Sequence, residues 1–218
     1  MKGKIIVIEG TDGSGKRTQA EMLYDKFVSK GILCKIISFP RYDTPTGKII
    51  SECYLGRDGK TPWFSDPTKL NPKIASLYYA ADRLAAKSEI ESIINSGTNL
   101  ILDRYVESNM AHQGGKLNGN ERKRFFEWVE NLEYNLNNMP RPDETIFLYV
   151  PMKVALELKK GRENSDAHES SLEHLRNAEE TYIELSERFG WEKVSCVSNG
   201  EIKKQEEIHE EIYKKISL

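Results

Sequence analysis

The sequence predicts an α/β fold in which a five-stranded parallel sheet is flanked by helices. Five short runs rich in Ile and Val alternate with longer amphipathic stretches along the chain. The apolar residues within each run are consecutive, which is typical of strands buried on both faces of a parallel sheet. Strands separated by helices favour right-handed βαβ units, whereas separate helical and β domains would have clustered strands.

The elements follow one another in a regular order. Strands are predicted at 4–9 (KIIVIE), 34–39 (CKIISF), 99–103 (NLILD), 145–150 (TIFLYV) and 191–197 (WEKVSCV). Helices are predicted at 16–30, 71–95, 120–137, 171–189 and 201–217. Residues 54–72 contain three prolines and two glycines, and are therefore predicted to form a long loop before a helix. Residues 159–171 are polar without an apolar stripe, which fits either a lid or a surface insertion.

Composition limits the classes of protein to consider. A chain of 218 residues is most simply one domain, spanning 1–218. A net charge of −2 argues against sequence-independent binding of nucleic acid. Cys34, Cys53 and Cys196 have no ligand-like spacing and predict neither disulfides nor a zinc site. No run approaches the ~20 apolar residues of a membrane span. We therefore expect a cytoplasmic protein without a membrane partner.

The stretch GTDGSGKRTQ (10–19) resembles a phosphate-binding loop. Gly10, Gly15 and Lys16 match the pattern G-x4-G-K, directly after a predicted strand and directly before a predicted helix. In this pattern the glycines let backbone N–H groups converge on phosphate oxygens, and the lysine adds a positive charge. The placement between strand and helix predicts a nucleotide-phosphate site.

One position departs from that pattern. Arg17 stands where Ser or Thr normally ligates Mg²⁺, and Thr18 follows it. A helix turns by about 100° per residue, so Thr18 does not replace the missing hydroxyl. Three alternatives stay open: Mg²⁺ is held by water and Asp103, Arg17 supplies part of the metal's charge, or Arg17 faces solvent.

Three further stretches carry candidate ligands. LILDRYVESNMAHQGG (100–115) follows the third strand and places Asp103 and Arg104 near the phosphate loop, where the acid suits Mg²⁺ and the arginine suits a phosphate. FPRY (39–42) ends the second strand with another arginine. SLYYAADR (76–83) places Tyr79 and Arg83 on one helical face, where they suit a planar base.

Taken together, these stretches resemble the thymidylate kinase family, nucleoside-monophosphate kinases with the P-loop fold. IEGTDGSGKRTQ, FPRY…T…G…I…YL, LYYAADR, DRYVESNMAHQG and LRNAEETYIEL occur in the family's order at plausible spacing over most of the chain. The resemblance implies phosphorylation of dTMP by ATP with Mg²⁺, a homodimer, an acceptor-base helix at about 71–95 and a short lid at about 159–171.

The resemblance also assigns roles to residues. Those assigned to the donor phosphates are Gly10, Thr11, Asp12, Gly13, Ser14, Gly15, Lys16, Arg17 and Thr18. Those assigned to the acceptor are Asp12, Phe39, Arg41, Tyr79, Arg83, Arg104, Ser108, Asn109, His112 and Gln113. Those assigned to catalysis are Lys16, Arg104, Arg162, Asp12 and Arg17. Asp103 is assigned to Mg²⁺ through water, and Arg162 with Asp166 has the spacing of the family's lid.

Some positions differ from the family. His112 stands where many relatives have Tyr against the sugar C2′, so the resemblance does not imply exclusion of a 2′-hydroxyl. Gly13 and Ser14 stand where one class carries a catalytic arginine in the loop, so the charge must come from Arg162, Arg17 or both. The alternatives are a kinase for another pyrimidine nucleotide or nucleoside, and a nucleotide-binding protein without turnover. An NKxD-type guanine motif is absent from the sequence.

Overall fold

The computed structural model describes residues 2–57, 59–64, 66–159 and 172–217. Its strands are β1 (Ile5–Gly10), β2 (Cys34–Ser38), β3 (Asn99–Asp103), β4 (Glu144–Tyr149), β5 (Glu192–Ser195), β6 (Val197–Ser198) and β7 (Glu201–Ile202). Its helices are α1 (Lys16–Ser29), α2 (Pro45–Lys48), α3 (Pro72–Ala85), α4 (Lys87–Asn95), α5 (Val106–Gly114), α6 (Gly119–Glu130), α7 (Met152–Lys159), α8 (Leu172–Phe189) and α9 (Gln205–Lys215). π-Helical segments, Ile49–Tyr54 and Asn131–Leu136, continue α2 and α6, and Pro67–Lys69 forms a 3-10 turn.

The first five strands form one sheet in the order β2–β3–β1–β4–β5. Every neighbouring pair is parallel, so the predicted fold class is confirmed. The bounds of each predicted strand lie within two residues of the observed ones. β1 occupies the centre of the sheet, which brings the loop that follows it beside the carboxyl ends of β3 and β4. Ligands of open α/β sheets bind at this edge.

Two apolar layers cover the sheet. Ile5 and Val7 of β1 belong to the cluster on one face, whereas Ile6 and Ile8 belong to the cluster on the other. Burial on both faces explains why the apolar residues of the strands are consecutive rather than alternating. Among the described helices, none combines the length and apolar composition that crossing a membrane requires.

The prediction of a single helix at 71–95 is wrong in one respect, because this segment forms two helices. α3 ends and α4 begins at Ala86, whose N–H bonds to the carbonyl of Arg83 in a tighter turn. The two helices pack on different clusters: Ala75 of α3 meets a small satellite cluster, and Ile90 of α4 meets the sheet. The turn at Ala86 lets each helix reach its own cluster.

The predicted helix 201–217 begins later than expected, at Gln205. The preceding residues form a hairpin in which Val197 pairs with Ile202 and Ser198 with Glu201. Asn199 and Gly200 form its two-residue turn with φ values of 52° and 84°. Asn-Gly favours this turn because both residues tolerate a positive φ.

Helices α2, α5 and α7 were not predicted. α5 is buried along almost its whole length and so lacks the alternation of buried and exposed faces that sequence patterns detect. Its N-terminus has no side-chain cap from the preceding residue, Tyr105. The predicted lid, 159–171, lies outside the described residues except for Lys159 at the end of α7.

Candidate active site

The loop between β1 and α1 carries the predicted phosphate-binding residues. Gly15 precedes α1 with a left-handed backbone (φ 83°), which would strain any side chain. A Cβ on Gly10 would lie 2.6 Å from the carbonyl oxygen of Leu148, so the loop passes β4 this closely only with glycine. The first N–H groups of α1 have no intrahelical acceptors, and the positive end of the helix dipole favours an anion here.

Lys16 is buried beside this loop. Its Nζ donates a hydrogen bond to the carbonyl oxygen of Thr11 (2.7 Å). The pKa of Lys16 is lowered from 10.5 to about 8, mainly because the side chain is buried and also because Arg104 repels it, while attraction to Asp12 opposes both effects. The hydroxyls of Thr11 and Ser14 are buried without hydrogen-bond partners among the residues that the structure describes. Phosphate oxygens would satisfy these groups.

Arg17 lies on the exposed side of α1. Its side chain is 82% exposed, and its Nε donates to Glu21, one helical turn away (2.9 Å). Hydrogen bonding to Glu21 raises the pKa of Arg17. In this conformation Arg17 faces solvent, which is one of the three alternatives that the sequence leaves open. Thr18 is half-buried.

A pocket adjoins the phosphate loop and contains all the predicted acceptor residues except Arg41. Its lining consists of Asp12, Phe39, Pro40, Tyr42, Leu55, Tyr79, Arg83, Arg104, Tyr105, Ser108, Asn109, His112 and Gln113. Sequence reasoning missed Pro40, Tyr42, Leu55 and Tyr105. All four lie inside stretches that the sequence singled out: Pro40 and Tyr42 in FPRY, Leu55 in the YL pair that follows it, and Tyr105 after the third strand.

One end of the pocket presents unused hydrogen-bonding groups. Nδ2 of Asn109 donates to the carbonyl oxygen of Ser76 (3.3 Å), which orients the amide. Oδ1 of Asn109 and Oε1 of Gln113 are then buried acceptors that lack a partner within the described part of the chain. A ligand that fills this end must offer hydrogen-bond donors, since unpaired buried acceptors are costly.

Arg83 lies at the same end and is paired with a glutamate. Its Nε donates to Glu133 (3.0 Å) and its Nη1 to the carbonyl oxygen of Tyr105 (3.3 Å). Nη2 also donates to Glu133. Burial alone would lower the pKa of Arg83, but the charge of Glu133 and its hydrogen bond, with smaller contributions from Tyr105 and Tyr134, together raise the pKa. Because a guanidinium has five N–H donors, two remain for a ligand beyond these three bonds.

Arg104 joins the pocket to the phosphate loop. Its Nη2 donates to Oδ1 of Asp12, and its Nη1 lies 3.4 Å from Oγ of Ser108 and 3.3 Å from Nε2 of His112. Burial would lower its pKa, but the surrounding groups, Asp12 foremost and then Tyr182, Glu9 and Asp103, together outweigh burial and raise the pKa well above its usual value. Its backbone is left-handed (φ 67°), which is uncommon outside glycine and clusters at functional sites.

Two histidines meet beside Arg104. Nδ1 of His112 lies 3.3 Å from Nε2 of His174 on α8, and the ring of Tyr182 stands perpendicular to His112 with centroids 5.7 Å apart. Because an arginine only donates, Nε2 of His112 accepts from Arg104 and Nδ1 carries the proton. His174 was not predicted, since it is distant in sequence and lies in no recognised motif.

Arg41 is held outside the pocket. Its backbone N–H donates to Oδ2 of Asp82 (2.8 Å), and its guanidinium contacts Oδ1 (3.4 Å) and the carbonyl oxygen (3.1 Å) of the same residue. A second carboxylate, Glu89, lies 3.6 Å from Nη1. The structure therefore does not bring Arg41 together with Arg104 at the pocket.

Asp103 ends β3 close to the phosphate loop. Its Oδ1 is buried and has no hydrogen-bond partner among the described residues. Among the residues that the structure describes, no group of three or more His, Cys, Asp or Glu side chains could hold a metal ion. One carboxylate beside a phosphate site fits Mg²⁺, which usually binds through one or two carboxylates, substrate phosphates and water. Arg162 and Asp166 of the predicted lid lie outside the described residues.

Comparisons with known proteins agree with this geometry. The family profile described as thymidylate kinase matches residues 8–212. The chain belongs to the thymidylate kinase family. A probable thymidylate kinase of Pyrococcus abyssi is 32% identical over 97% of this chain and 95% of the relative. The thymidylate kinase of Mycobacterium tuberculosis is 32% identical over 86% of this chain and 87% of its own.

A solved structure supports the fold of this thymidylate kinase family member. The thymidylate kinase of Candida albicans superposes with a TM-score of 0.75 at 24% identity, covering 98% of this chain and 90% of that one. The expected P-loop nucleoside-monophosphate kinase fold is confirmed. The family of the sequence resemblance, together with its kinase class, is confirmed by the profile and the relatives.

Proposed function

We propose that this chain transfers the γ-phosphoryl group of ATP to dTMP and so produces dTDP. The contact between Asp12 and Arg104 carries the proposal, because Asp12 belongs to the phosphate loop and Arg104 to the pocket wall. A nucleotide monophosphate bound by Arg104 would have its phosphate beside the donor phosphates held by the loop. Membership of the thymidylate kinase family supports the same reaction.

The base end of the pocket favours an oxo-pyrimidine. Oδ1 of Asn109 is an unused acceptor that matches the N3–H of thymine or uracil, whereas cytosine carries an acceptor at N3. The remaining N–H groups of Arg83 match O4. Tyr79 lines the same pocket and offers a ring for stacking. Thymine satisfies these groups, and cytosine would leave Asn109 unpaired.

Catalysis would rest on positioning and charge. The acceptor phosphate is ionised at neutral pH, so no strong general base is required. Lys16 and Arg104 would neutralise the charge that develops on the transferring group, and Arg162 would close over it from the lid. In this proposal Arg17 stays in solvent, paired with Glu21.

Mg²⁺ is part of the proposal. Asp103 would hold it through an intervening water, since the loop has no hydroxyl at Arg17. When bound, Mg²⁺ neutralises charge on the β- and γ-phosphate oxygens of ATP. The loop's own contribution is the ammonium of Lys16 and the N–H groups of α1.

A coupled assay of ADP release with ATP and Mg²⁺ tests the proposal, comparing dTMP, dUMP, UMP, dCMP and thymidine as acceptors. We expect fast turnover with dTMP, slower turnover with dUMP and little with dCMP. Comparable rates with UMP would identify a broader pyrimidine kinase in which His112 admits a 2′-hydroxyl. Nucleotide binding without turnover would identify a non-catalytic member of the family.

We also propose that the chain forms a homodimer through α3. Ile74, Leu77 and Leu84 are 44%, 50% and 43% exposed and lie on one face of this helix. Their spacing makes an apolar stripe, and a second copy of the chain would cover it. Sedimentation velocity should show a dimer that Leu77→Glu dissociates, whereas Leu136→Glu, at another exposed leucine, should not.

The extent of the domain and its location complete the proposal. We propose that 1–218 is one kinase domain, with the lid at about 159–171, and that it works in the cytoplasm. Limited proteolysis that yields two stable fragments with separate unfolding transitions would contradict a single domain. The partners in this proposal are dTMP, ATP and a second copy of the chain, with no nucleic acid and no membrane.

A further inference from the structure

Glu9 is a fully buried carboxylate next to the active site, and the sequence resemblance assigns it no role. It is the residue before Gly10 in β1 and has no exposed surface. Its Oε1 accepts from the backbone N–H groups of Tyr105 (2.9 Å) and Ser108 (3.0 Å). Its Oε2 accepts from the hydroxyls of Ser108 (2.7 Å) and Tyr182 (2.8 Å). Four donors match the acceptor capacity of an ionised carboxylate.

These hydrogen bonds join three elements. Glu9 lies at the end of β1, Ser108 in the first turn of α5, and Tyr182 in α8. The N–H of Ser108 is one of the groups that α5 leaves without an intrahelical acceptor, and Tyr105 provides no side-chain cap. Glu9 therefore caps α5 from a distant strand, and its charge is favourable at the positive end of the helix.

Glu9 also determines which way the hydroxyl of Ser108 is oriented toward Arg104. An ionised carboxylate only accepts, so the single hydroxyl hydrogen of Ser108 points at Glu9. The lone pairs of Ser108 Oγ then face Nη1 of Arg104, 3.4 Å away. A neutral amide in place of the carboxylate could donate to Ser108 instead and would change this orientation.

Besides its hydrogen bonds, Glu9 contributes a negative charge that affects the cations of the site. Arg104 is buried, so nearby negative charge is needed to stabilise its cation. Asp12 is the carboxylate that contributes most, and Glu9 contributes less. The pKa of Lys16 is lowered to about 8, chiefly by burial, and Glu9 is among the carboxylates that limit this lowering. Both proposed phosphate-binding cations thus lie in the field of Glu9 while Glu9 itself has no access to solvent.

We propose that Glu9 is a positioning residue for phosphoryl transfer, which holds Arg104 and the first turn of α5 in place relative to the phosphate loop. This role rests on the proposed function. It does not require Glu9 to touch either nucleotide, because it acts through Ser108 and Arg104. In-line transfer depends on the relative position of donor and acceptor phosphates, and a displacement of about 1 Å can cost about 100-fold in rate.

The test is Glu9→Gln in the full chain, assayed with ATP, Mg²⁺ and dTMP. This change keeps the shape and one acceptor oxygen but removes the charge. We expect kcat to fall between about 10-fold and 100-fold, with KM for ATP within about threefold of wild type. The matched control, Tyr182→Phe, removes one donor but leaves the charge of Glu9, so kcat should stay within about threefold. Thermal melting establishes that each variant is folded at the assay temperature.

A double-mutant cycle separates positioning from a merely structural role. If Glu9 acts through Arg104, Glu9→Gln in an Arg104→Lys background should lower kcat by less than about threefold further. Additive effects of the two changes, or a folded Glu9→Gln enzyme with kcat within twofold of wild type, would overturn the proposal. Should Glu9→Gln fail to fold, Ser108→Ala removes the hydroxyl through which Glu9 reaches Arg104 and leaves the carboxylate in place, and unchanged kcat in that folded variant would overturn the proposal equally.

The same assay distinguishes this proposal from the proposed function. Wild-type turnover of dTMP with unaffected Glu9→Gln would overturn the positioning role alone. Absence of dTMP turnover in folded wild-type protein would overturn the proposed function and the positioning role with it.

Discussion

Arg104 donates a hydrogen bond to Asp12 and thereby joins the end of β3 to the phosphate loop. Both side chains are largely buried, and the left-handed backbone of Arg104 is held by its N–H bond to Ile8 on the central strand (3.1 Å). In the proposed reaction this is the place where donor and acceptor phosphates meet, and an incoming phosphate would compete with Asp12 for Arg104.

Replacing Arg104 should affect the reaction strongly. Arg104→Ala is expected to lower kcat/KM for dTMP by about 100-fold or more, because it removes the cation proposed to bind the acceptor phosphate. Arg104→Lys should lose about tenfold, since an ammonium lacks the bidentate fork. Steady-state kinetics measure both, and Arg124→Lys at an exposed position is the control. Equal activity of Arg104→Lys and wild type would contradict a bidentate role.

The buried pair between Arg83 and Glu133 should be important for stability. Glu133→Gln leaves the guanidinium of Arg83 buried without a full counter-charge, so we expect the free energy of unfolding to fall by about 3–5 kcal/mol. Urea denaturation monitored by circular dichroism measures this. The control is Glu130→Gln, which breaks a more exposed pair with Arg141 (3.4 Å) and should cost less than about 1 kcal/mol. Similar losses in both variants would contradict the prediction.

The lowered pKa of Lys16 predicts an alkaline limit to activity. Binding phosphate requires the ammonium, and the pKa of about 8 in the free enzyme means that this form is lost as pH rises through 8. The value of kcat/KM for ATP reports the free enzyme, so it should fall above about pH 8. The control is Lys116→Met, because burial also lowers the pKa of Lys116 to about 8. A limb that disappears in Lys116→Met would contradict the assignment to Lys16.

The same shift has an opposite effect on stability. Because the pKa of Lys16 is below 10.5 in the folded chain, the unfolded chain binds more protons between about pH 8 and pH 10.5. The contribution of Lys16 to folding stability therefore increases as pH rises through that window, while the ammonium needed for phosphate binding is lost.

Arg17 should contribute little to turnover. Its exposed pairing with Glu21 predicts that Arg17→Ala keeps kcat within about twofold of wild type. Arg17→Thr should lower the Mg²⁺ concentration needed for half-maximal activity, because it supplies the hydroxyl that such loops usually provide. A tenfold loss of kcat in Arg17→Ala would show that the guanidinium enters the site during turnover.

Arg162 should act on the transition state rather than on binding. Arg162→Ala is expected to lower kcat by about 100-fold or more, with the dissociation constant of dTMP within about threefold. Kinetics and calorimetry measure the two quantities, and Arg176→Ala on an exposed part of α8 is the control. Unchanged kcat would remove Arg162 from this role.

Features encoded in contiguous residues could be predicted from the sequence. Consecutive apolar residues in 99–103 indicate a buried strand because the side chains of a strand alternate between two buried faces. The phosphate loop at Gly10–Lys16 was equally readable, because its glycines and lysine must stand at fixed spacing to surround a phosphate. Half of the residues of DRYVESNMAHQG line the pocket together because they lie in one uninterrupted segment after β3: Arg104, Tyr105, Ser108, Asn109, His112 and Gln113.

Only the tertiary structure decided which hydrogen-bond and ion-pair partners the site residues have. Glu9 caps α5, and Glu133 forms an ion pair with Arg83. The carbonyl oxygen of Ser76 orients Asn109, and Asp82 holds Arg41 away from the pocket. Each pair joins segments that are distant in sequence, and such contacts leave no periodicity or spacing in the chain. The sequence by itself determined the sheet, the phosphate loop and the chemistry available at its edge. Only packing decided which charges face one another, because the orientation of a buried polar group is set by whichever donors and acceptors the fold brings within about 3 Å of it.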